Sequence, residues 1–165
     1  MEDDTVREGE TVSVSEEDYS GYHATDEELD SRAEYGITSI ELELLDIVNT
    51  RREETGVSVL TLNDDLCKAA TLRAMESEHA WYKEHRRADG RPFNEFDCFD
   101  IEFSGELISL DDTANGFFAY SPTGVVNAWT SEEEYNIENR EIFFNPDWTE
   151  VGVAIYSNTS VLVFR

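Results

Sequence analysis

The stretch HRRADG, residues 85–90, sets an imidazole beside two arginines and an Asp-Gly turn, just past a long run of helical character. Histidine is the side chain whose charge changes near neutral pH, so His85 can serve as a general base or a metal ligand. It can equally be the polar end of a helix, its ring set against the terminal carbonyls. His79, the nearest other imidazole, is six residues away. Ligands that share a helix face stand four apart, so this pair does not read as a site. Glu106, between Gly105 and Leu107 in an apolar run, reads on spacing alone as an exposed strand glutamate. No serine or cysteine stands in a recognisable nucleophile motif. Cys67 and Cys98 form an even pair, which suits either a disulfide or two buried thiols.

Three helices and a hairpin must position these groups. TSIELELLDIVNTRREETG has Thr38 and Glu41 as a capping box, Ile40, Leu44, Ile47 and Val48 at helical spacing, and Gly56 as a stop. NDDLCKAATLRAMESEHAWYKEH opens on Asn63 and keeps Leu66, Ala69, Ala70 and Ala74 together, small side chains that allow close approach; His85 would end this helix. SPTGVVNAW starts a third helix with Ser121 as N-cap and Pro122 where a missing N–H costs nothing, turning Val125, Val126 and Trp129 inward. EVGVAIYSNTSVLVFR reads as a hairpin about Ser157-Asn158-Thr159-Ser160. Trp129, Phe143, Phe144 and Trp148 read as packing residues, and Glu132, Glu133, Glu134 and Tyr135 as a solvated acidic turn. Helices followed by an antiparallel pair predict an α+β layered domain.

Composition bounds the partners. Among 165 residues, 38 are acidic and 12 basic, a formal charge of −26 that repels phosphate backbones and anionic headgroups, so nucleic acid is not an expected partner. Lysine occurs only as Lys68 and Lys83, a balance found in salt-adapted and in acidic secreted proteins; glutamate in excess of aspartate favours secretion. No run approaches the roughly 18 apolar residues of a membrane span, and Met1 is followed by Glu-Asp-Asp rather than a signal region. An extracellular or cell-surface protein is expected, with any signal segment outside this sequence. Residues 1–36 read as an acidic arm or linker, within which TVSVS at 11–15 can add an edge strand, and residues 37–165 as the domain. A monomer is expected.

The order LLDIVNTRREETGVSVLTLNDDLCKAATLRAMESEHA, HRRADG, GELI, VVNAW and NPDWTEVGVAIY, with a last strand ending in Phe164, resembles the CAP superfamily (SCP domains), secreted proteins related to antigen 5 and plant pathogenesis-related proteins. AAxxRAxE at Ala69 to Glu76 and NPDWTEVGV at Asn145 to Val153 make the order specific, and bacterial members look especially similar. The resemblance implies a three-layer α-β-α sandwich with a mainly antiparallel central sheet and a cleft at one end. It further implies two histidines and two acids in that cleft, a set able to bind zinc. His85 matches the first histidine and Glu106 the glutamate of a Gly-Glu-Asn motif, with Leu107 in place of the asparagine. The other acid falls between them, at Glu95 or Asp97, and counting back from Asn145-Pro146 puts Asn139, followed by Arg140, where the second histidine belongs. An amide is a poor substitute for imidazole on zinc, so at most weak zinc binding at His85 and Glu106 is expected.

Three functions follow as expectations. The first is a non-catalytic binding module for a peptide, lipid, glycan or protein ligand. Another is a protease-like hydrolase, with His85 as general base and Glu106 orienting it or activating water. The last is a plain structural domain displayed on a cell surface.

Overall fold

The computed structural model describes residues 24–80, 85–110, 121–157 and 159–165. The TVSVS stretch, Asn158 and the side chain of His79 lie outside the described residues. Helix α1, Asp26–Arg32, starts at Thr25, whose hydroxyl accepts the Glu28 amide. Helix α2, Ser39–Glu54, carries the expected capping box: Thr38 and Glu41 each accept the other's backbone N–H. Next come β1, Thr61–Leu62, and α3, Asp64–Ala80, which begins where Asn63 Oδ1 accepts the Leu66 amide. After β2, Gly105–Leu110, the Ser121 hydroxyl accepts the Gly124 amide and opens α4, Pro122–Trp129. A 3-10 turn, Glu134–Asn136, leads into α5, Ile137–Phe143, and then β3, Glu150–Tyr156, and β4, Thr159–Phe164, form the hairpin.

The sheet runs β1-β3-β4-β2, with β1 parallel to β3 and the other pairs antiparallel. Side chains alternate across it because successive strand residues point to opposite faces. On one face Leu107, Val151, Val153, Leu162 and Phe164 meet α2, α4 and α5 through Leu44, Val48, Val126, Trp129 and Phe143. Ile108, Ala154, Val161 and Val163 line the other face and meet Leu66, Ala69, Ala70 and Ala74 of α3. This is the α+β sandwich expected, five helices around a mixed, mostly antiparallel sheet among the described residues. None of those helices is long and apolar enough to cross a membrane.

Several local expectations shift once the layers are assembled. The buried side of α2 holds Glu41, Leu44, Leu45, Val48 and Arg52, whereas Ile40 is exposed. Glu41 is drawn in because its second oxygen accepts the Ile155 amide at 2.8 Å. Buried Arg52 faces three carbonyls, those of Ser58, Phe143 and Asn145, and burial depresses its pKa. The hairpin turn is shorter than read: Thr159 and Ser160 are buried strand residues, and Ser157 takes a positive φ of 55°. Cys67 and Cys98 are both free, Cys67 half-buried with its sulfur accepting the Val153 amide. Part of the acidic N-terminal segment is docked, since Leu29 of α1 packs on Leu72 and Met75 of α3.

Candidate functional site

Glu106 occupies the alternate position to Ile108 on β2, so the strand period aims it at α3 rather than at solvent. It is 2% exposed, which corrects the reading of an exposed strand glutamate. A buried carboxylate needs a charged partner, and Arg73 of α3, itself fully buried, supplies one. Its Nε donates to Glu106 Oε2 at 2.5 Å and its Nη2 to Oε1 at 2.8 Å, the two-pronged geometry that suits guanidinium to carboxylate. Burial alone would raise the Glu106 pKa. The Arg73 charge and hydrogen bonds, with His85, outweigh it and hold the carboxyl below its usual range.

His85 lies beyond the described end of α3, in a bend, with its side chain 45% exposed. Its Nδ1 is 2.9 Å from Glu106 Oε1. An ionised carboxylate only accepts, so Nδ1 carries the proton and, in the neutral ring, Nε2 keeps its lone pair. The Phe93 ring stands steeply inclined to the imidazole, at 71°, with centroids 6.1 Å apart. The arrangement is an imidazole oriented by a buried, neutralised carboxylate.

Behind the pair runs a chain of buried charges that sequence reasoning missed. Arg73 Nη1 also donates to Glu76 Oε1 at 2.9 Å and to the Arg86 carbonyl at 3.2 Å. Glu76 Oε1 accepts Arg87 Nε at 2.8 Å, and its Oε2 accepts the Ala88 amide at 3.0 Å. Arg87, also buried, passes on to Asp26 of α1 at 2.6 Å. The available signal was Arg73 and Glu76 three apart among the small residues of a helix face otherwise fit for burial.

The other predicted residues make contacts of their own. Glu95 is exposed and contributes its backbone carbonyl, which accepts Arg87 Nη1. Asp97, also exposed, pairs with Arg91 at 3.2 Å. Asn139 is half-buried on α5, a helix that packs on β2, and its amide donates to Asn136 at 2.9 Å. Among the described residues none of the three is hydrogen-bonded to His85 or Glu106. Glu132, Glu133, Glu134 and Tyr135 are exposed, with Arg140 3.8 Å from Glu132. A concavity of about 680 Å³ is lined by Phe96, Phe99, Phe103 and their neighbours, and His85 and Glu106 are not part of its wall.

The donor set does not fit a tight zinc centre. Both Glu106 oxygens are engaged by Arg73, and His85 Nδ1 is taken by Glu106, so that among the described residues Nε2 is the nitrogen of the pair without a hydrogen-bond partner. Among the described residues no three His, Cys, Asp or Glu side chains converge as ligands would.

The family model of the cysteine-rich secretory proteins, CAP, matches residues 45–164. The chain belongs to the CAP family. YkwD, an uncharacterised protein of Bacillus subtilis strain 168, is 24% identical to it over 128 residues, 76% of this chain and 46% of that protein. The chain thus spans about half the length of that curated relative. An extracellular SCP-domain protein of Bacillus anthracis superposes with a TM-score of 0.62 at 15% identity, over 79% of this chain and 44% of that one. An outer surface protein of Borrelia burgdorferi superposes with a TM-score of 0.59 at 18% identity, covering 80% of this chain and 96% of that one. At such identities the likeness is one of fold. Gly105 shows how family motifs meet in this CAP domain: a Cβ there would stand 2.5 Å from the Trp148 ring, which stacks on Phe164. The glycine of GELI therefore makes room for the tryptophan of NPDW.

Proposed function

We propose that this CAP domain is a non-catalytic binding module, acting outside the cell or at its surface. It takes a peptide, lipid, glycan or protein ligand where His85 and Glu106 meet. The observation that carries the reading is the double hydrogen bond from Arg73 to Glu106, which neutralises the acid and engages both its oxygens. A carboxylate so held orients His85 but does not activate water or bind a metal well. Asn139 stands where the resemblance puts the family's second histidine, and its bond to Asn136 is consistent with a site in which it supplies no ligand. The extracellular and outer-surface relatives support the location.

A hydrolase remains the second reading, favoured by the 2.9 Å contact that orients the His85 ring. Against it, among the described residues no serine, threonine or cysteine hydrogen-bonds to His85, whose hydrogen-bond partner is Glu106. Peptidase, esterase and glycosidase panels should return background rates, the same for parent and His85→Ala. A turnover abolished by His85→Ala, in protein free of contaminating enzymes, establishes the hydrolase instead.

Zinc gives an independent check. Calorimetry should show no stoichiometric uptake at micromolar concentrations, and Asn139→His should strengthen binding if position 139 faces His85. Submicromolar affinity lost in His85→Ala would contradict the account of Glu106 as a carboxylate already occupied.

A further inference from the structure

Helix α1 lies outside residues 45–164, yet it contributes a charge to the network behind His85. Asp26 is 1% exposed and, among the described residues, every hydrogen bond of its carboxylate reaches into the segment that follows His85. Its Oδ1 accepts Arg87 Nη2 at 2.6 Å and Arg91 Nη2 at 3.2 Å. Its Oδ2 accepts the Asp97 amide and, at 3.4 Å, Arg91 Nη1. Burial by itself would raise the Asp26 pKa; the Arg87 bond, the Asp97 amide and Arg91 prevail and keep the group ionised below its ordinary value.

One carboxylate thus ties three points of a segment that has little regular structure of its own: a lone bridge joins Arg86 to Pro92, and the Arg87 amide donates to the Arg91 carbonyl. Two residues before Arg87 stands His85. Arg87 is sandwiched, its guanidinium bonded to Glu76 and Asp26 and lying 4.2 Å over the Phe96 ring. Without Asp26 the buried cation keeps one carboxylate, Glu76, which Arg73 already shares through the same oxygen. Rearrangement of Arg87 is then transmitted in two ways, along the backbone to His85 and through Glu76 to the arginine that holds Glu106.

We infer that Asp26 is a positioning residue for the His85–Glu106 pair, so that α1 completes the site although it lies outside the matched family segment. The inference rests on the geometry of the pair and holds whether the pair binds or catalyses.

The test is nitrogen-15 NMR of the histidine rings in the full chain near neutral pH, which reads which ring nitrogen bears the proton. In the parent, the neutral His85 ring should be protonated on Nδ1. Asp26→Ala should move it predominantly to Nε2–H, the form no longer dictated by Glu106. Asp26→Asn, which keeps an acceptor for the Asp97 amide, should give an intermediate population, and it supplies the reading if the alanine variant does not fold. Val48→Ala, in the core on the opposite face of the sheet, controls for loss of stability alone and should lower the melting temperature with His85 unmoved. A parent ring already protonated on Nε2, Asp26 variants with unchanged His85 shifts, or an equal change in Val48→Ala would each overturn the inference.

Discussion

Gly152→Ala is expected to lower stability by more than the roughly 1–3 kcal/mol usual for an overpacked core, and to leave little folded protein at physiological temperature. A Cβ at this position would stand 2.2 Å from the Leu66 carbonyl carbon and oxygen and 2.6 Å from the Cys67 amide. These are backbone atoms of α3, so no rotamer change relieves the overlap. Either the helix lifts from β3 or the strand bends, and both moves open the face packed by Ala69, Ala70 and Ala74. Gly124→Ala is the matched control: its Cβ meets nothing closer than the Ser121 hydroxyl at 3.5 Å, and alanine is the better helix former. Chemical denaturation of both variants checks the contrast. Equal midpoints for parent and Gly152→Ala would mean that α3 does not sit on β3 as described.

Arg73→Met should cost about 3–5 kcal/mol at neutral pH, the usual penalty for removing one partner of a buried ion pair. Methionine fills similar space but leaves Glu106 buried with His85 alone, while Glu76 keeps Arg87 and the Ala88 amide. The pH dependence should change sign as well. In the parent, Glu106 has its folded pKa depressed, so the unfolded chain binds more protons in that window. Its contribution is therefore present above the unfolded carboxylate pKa and lost as pH falls through the lower folded value. Without Arg73, burial becomes the main influence and raises the folded pKa above the unfolded one. The variant should then gain stability relative to the parent as pH falls from about 7 towards about 4, the range where carboxylates titrate. Urea midpoints across that range for both proteins decide it, and parallel curves would show that Arg73 does not hold the Glu106 charge.

Much of the fold was legible because its signals are local. A capping box at Thr38 and Glu41, Ser121 before Pro122, and the two β-rich runs around Ser157 each depend on atoms within a few residues of one another. The order of those elements carried the resemblance to CAP proteins, and with it the pairing of His85 with Glu106. Where the reading slipped, a side chain had a distant partner. Glu41 turned inward because the Ile155 amide waits there, 114 positions on. Glu76 and Asp26, the buried carboxylates behind His85, went unread for the same reason, since the arginine that joins them lies 11 and 61 positions away.

By itself the sequence determined the helices and the hairpin, the acidic charge that makes nucleic acid an unexpected partner, and the family. Only the tertiary structure decided which charges are buried and what neutralises them. Caps and periodicity act within one or two turns, where chain geometry alone brings atoms together. Arg73 meets Glu106 across 33 positions and Arg87 meets Asp26 across 61, distances at which composition and spacing say nothing about contact. Those meetings depend on the face of β2 that turns to α3 and on α1 folding back over the segment after His85. Once both are set, a buried carboxylate must take a guanidinium or lose its charge, and the chain of pairs follows from that requirement.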